Sequence, residues 1–283
     1  VPLALLAFTL ATKGLNHGTR SKRSFDTASA LLCGVFFAAL LSCISAFAHQ
    51  AWSSVALTLT ICSLSGIGLI RRELHKPAPI FAFDLFRIPV FSLSSATAIC
   101  SFAVQGLAFV ALPFLLQTRL GYDQSNAGFV ITPWPVTLAI MAVVAPRLEL
   151  RIPAAILGCI GLVTLAVGLA SITTLSSDSS ILDIGLRLVV CGIGFGLFQA
   201  PNMTVLMSSA PSERSGGASG ILATSRLLGQ AIGAAIVAFS IAAWPDDGIL
   251  IAVWIGVMTS MGGSALSLLR IAPFIRRAGT PRN

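Results

Sequence analysis

Residues 217–243 read GASGILATSRLLGQAIGAAIVAFSIAA, an apolar run with one charged side chain, Arg226. The run is longer than the roughly 20 helical residues that cross the hydrocarbon core of a bilayer. Small residues recur along it and just before it, and such residues let two membrane helices approach closely. The predicted helix-packing glycines are Gly216, Gly220, Gly229 and Gly233. This stretch predicts a closely packed membrane-spanning helix that carries a charge.

The composition extends this reading to the whole chain. Of 283 residues, 55% are hydrophobic and 10% are charged, and the mean hydropathy is +0.91. Soluble domains carry roughly 25% charged residues, so a soluble enzyme, a nucleic-acid binder and a disordered tail are excluded. We predict an all-α polytopic membrane helix bundle, with the lipid bilayer as its partner, about eight full spans and a partial one. The predicted full spans are 27–48, 52–70, 91–117, 126–145, 152–173, 181–207, 217–243 and 249–269.

Two polar linkers divide the chain into segments. Val1 opens an apolar run of 12 residues, which is too short to span, so we expect the end of a truncated transmembrane helix there. The predicted segments are that helix end at 1–12, a cytoplasmic linker at 13–26, a two-helix central insert at 27–70, a cytoplasmic amphipathic linker at 71–90, a six-helix C-terminal bundle at 91–270 and a cytoplasmic tail at 271–283.

The second linker carries apolar residues at helical spacing. Phe81, Leu85 and Ile88 recur in this way beside Arg87. The pattern favours a short amphipathic segment lying on the inner membrane surface, and a plain cytoplasmic loop accounts for it equally well.

The basic residues orient the chain. With alternating sides, fifteen of the 18 lysines and arginines fall in loops on one side, Arg270 among them, and Arg119 alone falls opposite. By the positive-inside rule this predicts a multi-pass protein of the inner (plasma) membrane with a cytoplasmic C-terminus. The other two cations, Arg187 and Arg226, lie within spans, and Arg187 is expected to pair with Asp183 four residues earlier.

Arg226 is therefore the charge that the sequence leaves at membrane depth. At 100° per residue, Ser219, Gln230 and Gly233 fall on its face of the helix, and it lies about 15 Å into the span. A cation there costs roughly 2.5–3.5 kcal/mol unless it faces protein or water, so it is expected to face the bundle interior. It either lines a cavity as a substrate or gating residue, or is a structural arginine satisfied by helix carbonyls.

Other spans add polar residues and prolines. Broken helices near the midplane mark binding sites in transporters, although prolines also shape ordinary packing. The predicted substrate-cavity residues are Gln105, Trp134, Gln199, Asn202, Arg226 and Gln230. The predicted helix-break or gating residues are Pro113, Pro133, Pro135 and Pro201. Apolar contacts could come from Phe102, Phe109 and Phe198, for which ordinary helix packing is the simpler interpretation.

Enzyme motifs are missing from the sequence. There is no GxxxxGK[ST] loop, and the run Gly192–Gly196 lacks the GxGxxG spacing and sits inside an apolar span. Those glycines fit close helix packing better. The six cysteines lie in apolar segments without a CxxC pair. We therefore predict no catalytic residues, no metal site, no cofactor and no nucleic-acid partner.

Several segments resemble a known family. Residues 216–233 (GGASGILATSRLLGQAIG) and 112–133 (LPFLLQTRLGYDQSNAGFVITP) resemble the penultimate helix and the helix nine–ten hairpin of 14-helix drug:proton antiporters of the major facilitator superfamily. Residues 79–87 (PIFAFDLFR) resemble the linker before helix nine of that second drug-antiporter family, and Val1-Pro2-Leu3 resembles the start of helix six. Residues 146–151 look like a decayed copy of the superfamily's loop signature.

The resemblance implies a function. It implies efflux of drug-like amphipathic compounds against proton entry by alternating access, with this chain as the C-terminal half of the cavity. No carboxylate lies deep in a span, so the titrating acid is expected before Val1. A membrane-embedded enzyme and a non-transporting truncated scaffold remain the alternatives.

Overall fold

The computed structural model describes residues 26–73, 83–176 and 178–271, and every regular element in those ranges is a helix. Eight spans are long and apolar enough to cross a membrane, with α4 and α5 forming one span together. The predicted all-α membrane bundle is thereby confirmed. The helices are α1 Thr27–Ala48, α2 Trp52–Glu73, α3 Pro89–Thr118, α4 Gln124–Ile131, α5 Pro133–Glu149, α6 Ala154–Ile172, α7 Ile181–Ser209, α8 Ser215–Ala243 and α9 Gly248–Leu269.

Local signals set several helix starts. Asp26 caps α1, since its Oδ1 accepts the backbone N–H of Ser29 at 3.2 Å. Ser180 caps α7 by accepting the N–H of Asp183 at 3.2 Å. Pro89 occupies the first turn of α3, where its missing N–H costs nothing. The bonds satisfy N–H groups that a helix start leaves open.

The prolines behave differently from one another. The span 124–149 is interrupted at Thr132, and Pro133 begins the second helix, whereas Pro135 lies inside that helix. In contrast, α3 and α7 continue through Pro113 and Pro201. Neither Pro113, a predicted break or gating position, nor Pro201, where the sequence predicted a kink or an opening, interrupts its helix. Flanking helices in a bundle tolerate one missing backbone bond when packing holds the segment.

Glycines let α3 and α8 come close. On α8, a Cβ on Gly229 would lie 2.6 Å from the carbonyl oxygen of Ile99 on α3, and one on Gly233 would collide with Ala103. From the other side, a Cβ on Gly106 would lie 2.5 Å from the carbonyl oxygen of Gln230. Close packing of α3 against α8 therefore needs glycine at all three positions.

The run Gly192–Gly196 has a similar role on α7. A Cβ on Gly192 would lie 2.8 Å from the carbonyl oxygen of Trp134 on α5, and Gly194 abuts the backbone of Leu165 on α6. Two glycines of the first stretch differ. Among the described residues, no heavy atom lies within 4 Å of a Cβ on Gly216 or Gly220, so these two predicted packing glycines contact no helix in this part of the chain.

Helices α3 to α9 share one core, which holds large side chains such as Trp134, Phe195 and Leu165. The hairpin of α1 and α2 is mostly exposed and reaches the bundle through α8. The Phe47 ring stacks on Phe239 there, with 5.5 Å between ring centroids.

The described end of the second linker packs against the bundle. Phe83–Arg87 forms a short 3-10 helix. Leu85 is fully buried in a cluster with Phe91, Leu206, Ala218 and Ile221. Leu85 therefore faces protein, which differs from the predicted surface-lying segment, and Phe81 lies outside the described residues.

An ion pair ties this linker to α8. Arg214 donates to Asp84 through Nε to Oδ2 at 3.0 Å and through Nη2 to Oδ1 at 2.5 Å. This hydrogen bonding from Arg214 holds the pKa of Asp84 below its ordinary value. The two-bond geometry is the strong form of an arginine–carboxylate contact.

We expect Gly229→Ala to destabilise the protein by about 1–3 kcal/mol, because the new methyl group would overpack α3 against α8. Gly220→Ala is the matched control on the same helix, and it should be neutral or slightly stabilising because alanine favours helix. Thermal unfolding of the purified protein in detergent measures both. Equal melting temperatures for the two variants would contradict the close approach.

We expect Asp84→Asn to lower stability by less than about 1 kcal/mol at neutral pH, since the Asp84 carboxylate is partly exposed. A carboxylate with a lowered pKa contributes stability above its unfolded pKa and loses it as the pH falls towards its folded pKa. The difference in melting temperature between wild type and variant should therefore shrink from pH 7 towards pH 3. A difference that is independent of pH would contradict the ion pair's role.

Candidate functional site

A cavity of about 500 Å³ lies between α7 and α8, with Phe102 of α3 contributing to its wall. It combines polar side chains with aromatic and aliphatic ones. Four of the six predicted cavity residues line it. The lining residues are Phe102, Phe198, Gln199, Asn202, Met203, Ser219, Leu222, Ala223, Arg226, Leu227 and Gln230.

Arg226 reaches into this cavity. Its side chain is exposed there, and its guanidinium carbon lies 5.9 Å from the centroid of the Phe102 ring. That distance permits a cation–π contact. Within the described ranges Arg226 makes no hydrogen bond and has no carboxylate within 4.0 Å. The geometry favours the cavity interpretation over the carbonyl-satisfied arginine.

Two glutamines form a bridge behind the cavity wall. Gln230 Nε2 donates to Gln105 Oε1 at 3.2 Å, which links α8 to α3. Gln105 is itself buried and does not line the cavity. It can therefore act on a ligand only by orienting the Gln230 amide.

Trp134 lies elsewhere. It is fully buried in the core, and its ring is 5.6 Å from that of Phe109. The prediction that Trp134 lines this cavity is wrong, because the large apolar part of the indole fills space beside the helix break at Thr132. Its indole N–H has no hydrogen-bond partner among the described residues. Of the three phenylalanines, Phe102 and Phe198 line the cavity and Phe109 does not.

A second cation sits behind Asn202. Arg270, at the end of α9, is only 3% exposed. Its Nη1 donates to Asn202 Oδ1 at 2.6 Å and to Ser94 Oγ at 3.1 Å, and its Nη2 donates to Ser267 Oγ at 2.5 Å. Asn202 Nδ2 in turn donates to the carbonyl oxygen of Ser94 at 3.3 Å. The network joins α3, α7 and α9.

The burial of Arg270 corrects the sequence analysis, which counted it among the loop cations and left Arg226 as the only charge in need of a partner. An arginine stays protonated at neutral pH, so this buried network carries a positive charge. The sequence held one signal: Arg270 is flanked by Leu269 and Ile271, which is unusual for a solvated loop cation.

The other described ion pairs lie towards the helix ends. Arg187 pairs with Asp183 at 2.9 Å, as the sequence predicted. Arg72 pairs with Asp26 at 3.1 Å and Arg119 with Asp247 at 2.8 Å. By contrast, no carboxylate is among the residues that line the cavity between α7 and α8.

Comparison with known proteins gives the class of this molecule. The family model of the Major Facilitator Superfamily matches residues 25–234, and the chain belongs to that superfamily of membrane transporters. The chain is 42% identical over 274 residues to the uncharacterized transporter YebQ of Escherichia coli, covering 96% of this chain and 60% of the relative.

Two further relatives carry functional names. The multidrug resistance protein Stp of Mycobacterium tuberculosis is 33% identical over 227 residues, or 78% of this chain and 42% of Stp. The riboflavin transporter RibZ of Clostridioides difficile is 26% identical over 239 residues, or 83% of this chain and 51% of RibZ. The chain thus spans about 40–60% of the length of these relatives.

We expect Asn202→Leu to destabilise the protein by about 1–3 kcal/mol, because it removes an acceptor from the buried Arg270 guanidinium. Gln199→Leu is the control: it makes the same amide-to-alkyl change on α7, and it should stay within about 0.5 kcal/mol of wild type. Thermal unfolding in detergent again provides the measurement. A loss of equal size in both variants would show that the Arg270 contact adds nothing.

Proposed function

We propose that this protein exports drug-like amphipathic compounds across the plasma membrane by proton antiport with alternating access, and that this chain forms the C-terminal wall of the transport cavity. In this proposal the chain catalyses no covalent chemistry. The observation that carries it is the cavity between α7 and α8, where Gln199, Asn202, Arg226 and Gln230 meet.

The cavity has the character that amphipathic ligands require. Its volume of about 500 Å³ lies within the usual range for small-molecule sites, roughly 300–1,000 Å³. Met203, Leu222 and Leu227 offer apolar surface to a ring or alkyl chain. The amides and the guanidinium offer hydrogen bonds at fixed points. A broad apolar surface with few polar groups suits compounds that differ in shape.

The names of two relatives support export. Stp is named a multidrug resistance protein, and a second relative from Mycolicibacterium smegmatis, 26% identical over 213 residues, is named the multidrug efflux pump LfrA. We extend that activity to the present protein as part of the proposal, with the C-terminus on the cytoplasmic side.

Proton coupling needs a group that titrates in the cavity. The described lining residues include no carboxylate or histidine, and arginine stays protonated throughout the physiological range. The proposal therefore assigns proton binding to an acid outside the described residues.

Whole-cell efflux of fluorescent amphipathic dyes, cationic and anionic, tests the proposal in cells that express the protein from its complete gene. We expect efflux above that of vector-only cells, and we expect an uncoupler to abolish it. Arg226→Ala should reduce the efflux rate at least tenfold, because it removes the charged contact in the cavity.

Arg151→Gln is the control, since Arg151 is exposed at the turn after α5 and does not line the cavity. Its efflux should match wild type. Efflux that persists with the uncoupler would contradict proton antiport, and full efflux by Arg226→Ala would contradict the assigned cavity.

A further inference from the structure

The cavity between α7 and α8 has two arginines beside it and no carboxylate on its lining. Arg226 extends into the cavity, and Arg270 donates to the Oδ1 of Asn202, which lines it. Among the described residues, neither arginine has a carboxylate within 4.0 Å. The electrostatic potential on this wall is therefore positive.

Elsewhere in the described ranges, arginines lie towards helix ends or in turns, and Arg71, Arg87, Arg147 and Arg151 are exposed there without a carboxylate within 4.0 Å. Four arginines near the helix ends, where water screens charge, each have a carboxylate partner in the described ranges. These are Arg72, Arg119, Arg187 and Arg214. Charges interact most strongly where water is scarce, so a missing partner matters most at the cavity. A ligand that brings its own negative charge would fill this gap.

The surroundings of Arg226 define the rest of the ligand. The Phe102 ring centroid lies 5.9 Å from the guanidinium carbon, and Met203, Leu222 and Leu227 add apolar surface. A guanidinium binds planar or tetrahedral oxyanions through paired N–H donors. Gln230 lies one helical turn after Arg226, on the same face of α8. Its Nε2 donates to Gln105 Oε1 at 3.2 Å, and its amide supplies a further polar contact.

We propose that this cavity binds amphipathic organic acids: compounds with a carboxylate, sulfonate or phosphate group on an aromatic or alkyl body. The acid group contacts Arg226, and the body lies against Met203, Leu222 and Leu227. Arg270 is a positioning residue. Its hydrogen bond holds the side chain of Asn202 on α7, whereas Arg226 is on α8. The inference names the ligand class of the cavity assigned above and rests on that assignment, but binding can be measured without transport.

The test uses two probes with the same ring and opposite charge, 1-naphthalenesulfonate and 1-naphthylmethylammonium. The protein is expressed from its complete gene and placed in nanodiscs of zwitterionic phosphatidylcholine, and calorimetry measures affinity. We expect the sulfonate to bind at least tenfold more tightly than the ammonium. Arg226→Gln should weaken sulfonate binding about tenfold or more, while Arg226→Lys, which keeps the charge, should lose less.

Arg151→Gln removes one positive charge away from the cavity and should leave both affinities unchanged. Arg270→Gln should weaken sulfonate binding less than Arg226→Gln does. Adding phosphatidylglycerol to the nanodiscs separates two sources of the anion: competition with the sulfonate would show that a lipid phosphate also enters the site, and no competition would reserve it for soluble acids.

Tighter binding of the ammonium, or sulfonate binding that Arg226→Gln leaves unchanged, would overturn the inference. Uncoupler-sensitive efflux of a cationic dye combined with either result would leave the transport proposal standing. Selective sulfonate binding without efflux would support the inferred ligand class and contradict the transport proposal.

Discussion

The close approach of α3 and α8 is the contact on which the other features depend. Lipid chains are as apolar as leucine, so helices in a membrane associate through packing and polar contacts rather than through the hydrophobic effect. Gly106, Gly229 and Gly233 bring the two backbones together. That contact fixes the rotation of α8 about its axis, and the Arg226 guanidinium consequently lies beside Phe102. The cavity lies between α7 and α8, which are packed less closely together than α3 and α8 are.

The distribution of charge follows from the same environment. A charge near a helix end is solvated or paired at little cost, and Asp183–Arg187 and Asp247–Arg119 are pairs of this kind. A charge inside needs protein groups around it. Arg270 obtains them from hydroxyl, amide and carbonyl oxygens, without a carboxylate among the described residues. The interior of this bundle is thus polar in selected places and positive where it meets the cavity.

The sequence predicted the spans well because hydropathy is a one-dimensional signal that helix length makes sharp. It also indicated Gln199, Asn202, Arg226 and Gln230 as cavity residues, since polar side chains in apolar helices contact one another or line a cavity. Its failures have physical causes. Trp134 suits a cavity and a core equally by composition, small residues such as Gly216 do not reveal which face a neighbour covers, and any arginine at a span end satisfies the positive-inside rule, which concealed Arg270.

The network around Arg270 bears on how the chain is assembled in the membrane. Its partners Ser94 and Asn202 are contributed by α3 and α7, which are synthesised long before α9. Until α9 is synthesised, the Asn202 amide and the Ser94 hydroxyl lack the hydrogen bonds from the Arg270 guanidinium. The last described helix therefore completes the polar interior of helices already inserted. A chain that ended before Arg270 would keep all eight described spans, each apolar enough to cross the membrane. It would lack the hydrogen bonds that join α9 to α3 and α7 through Arg270.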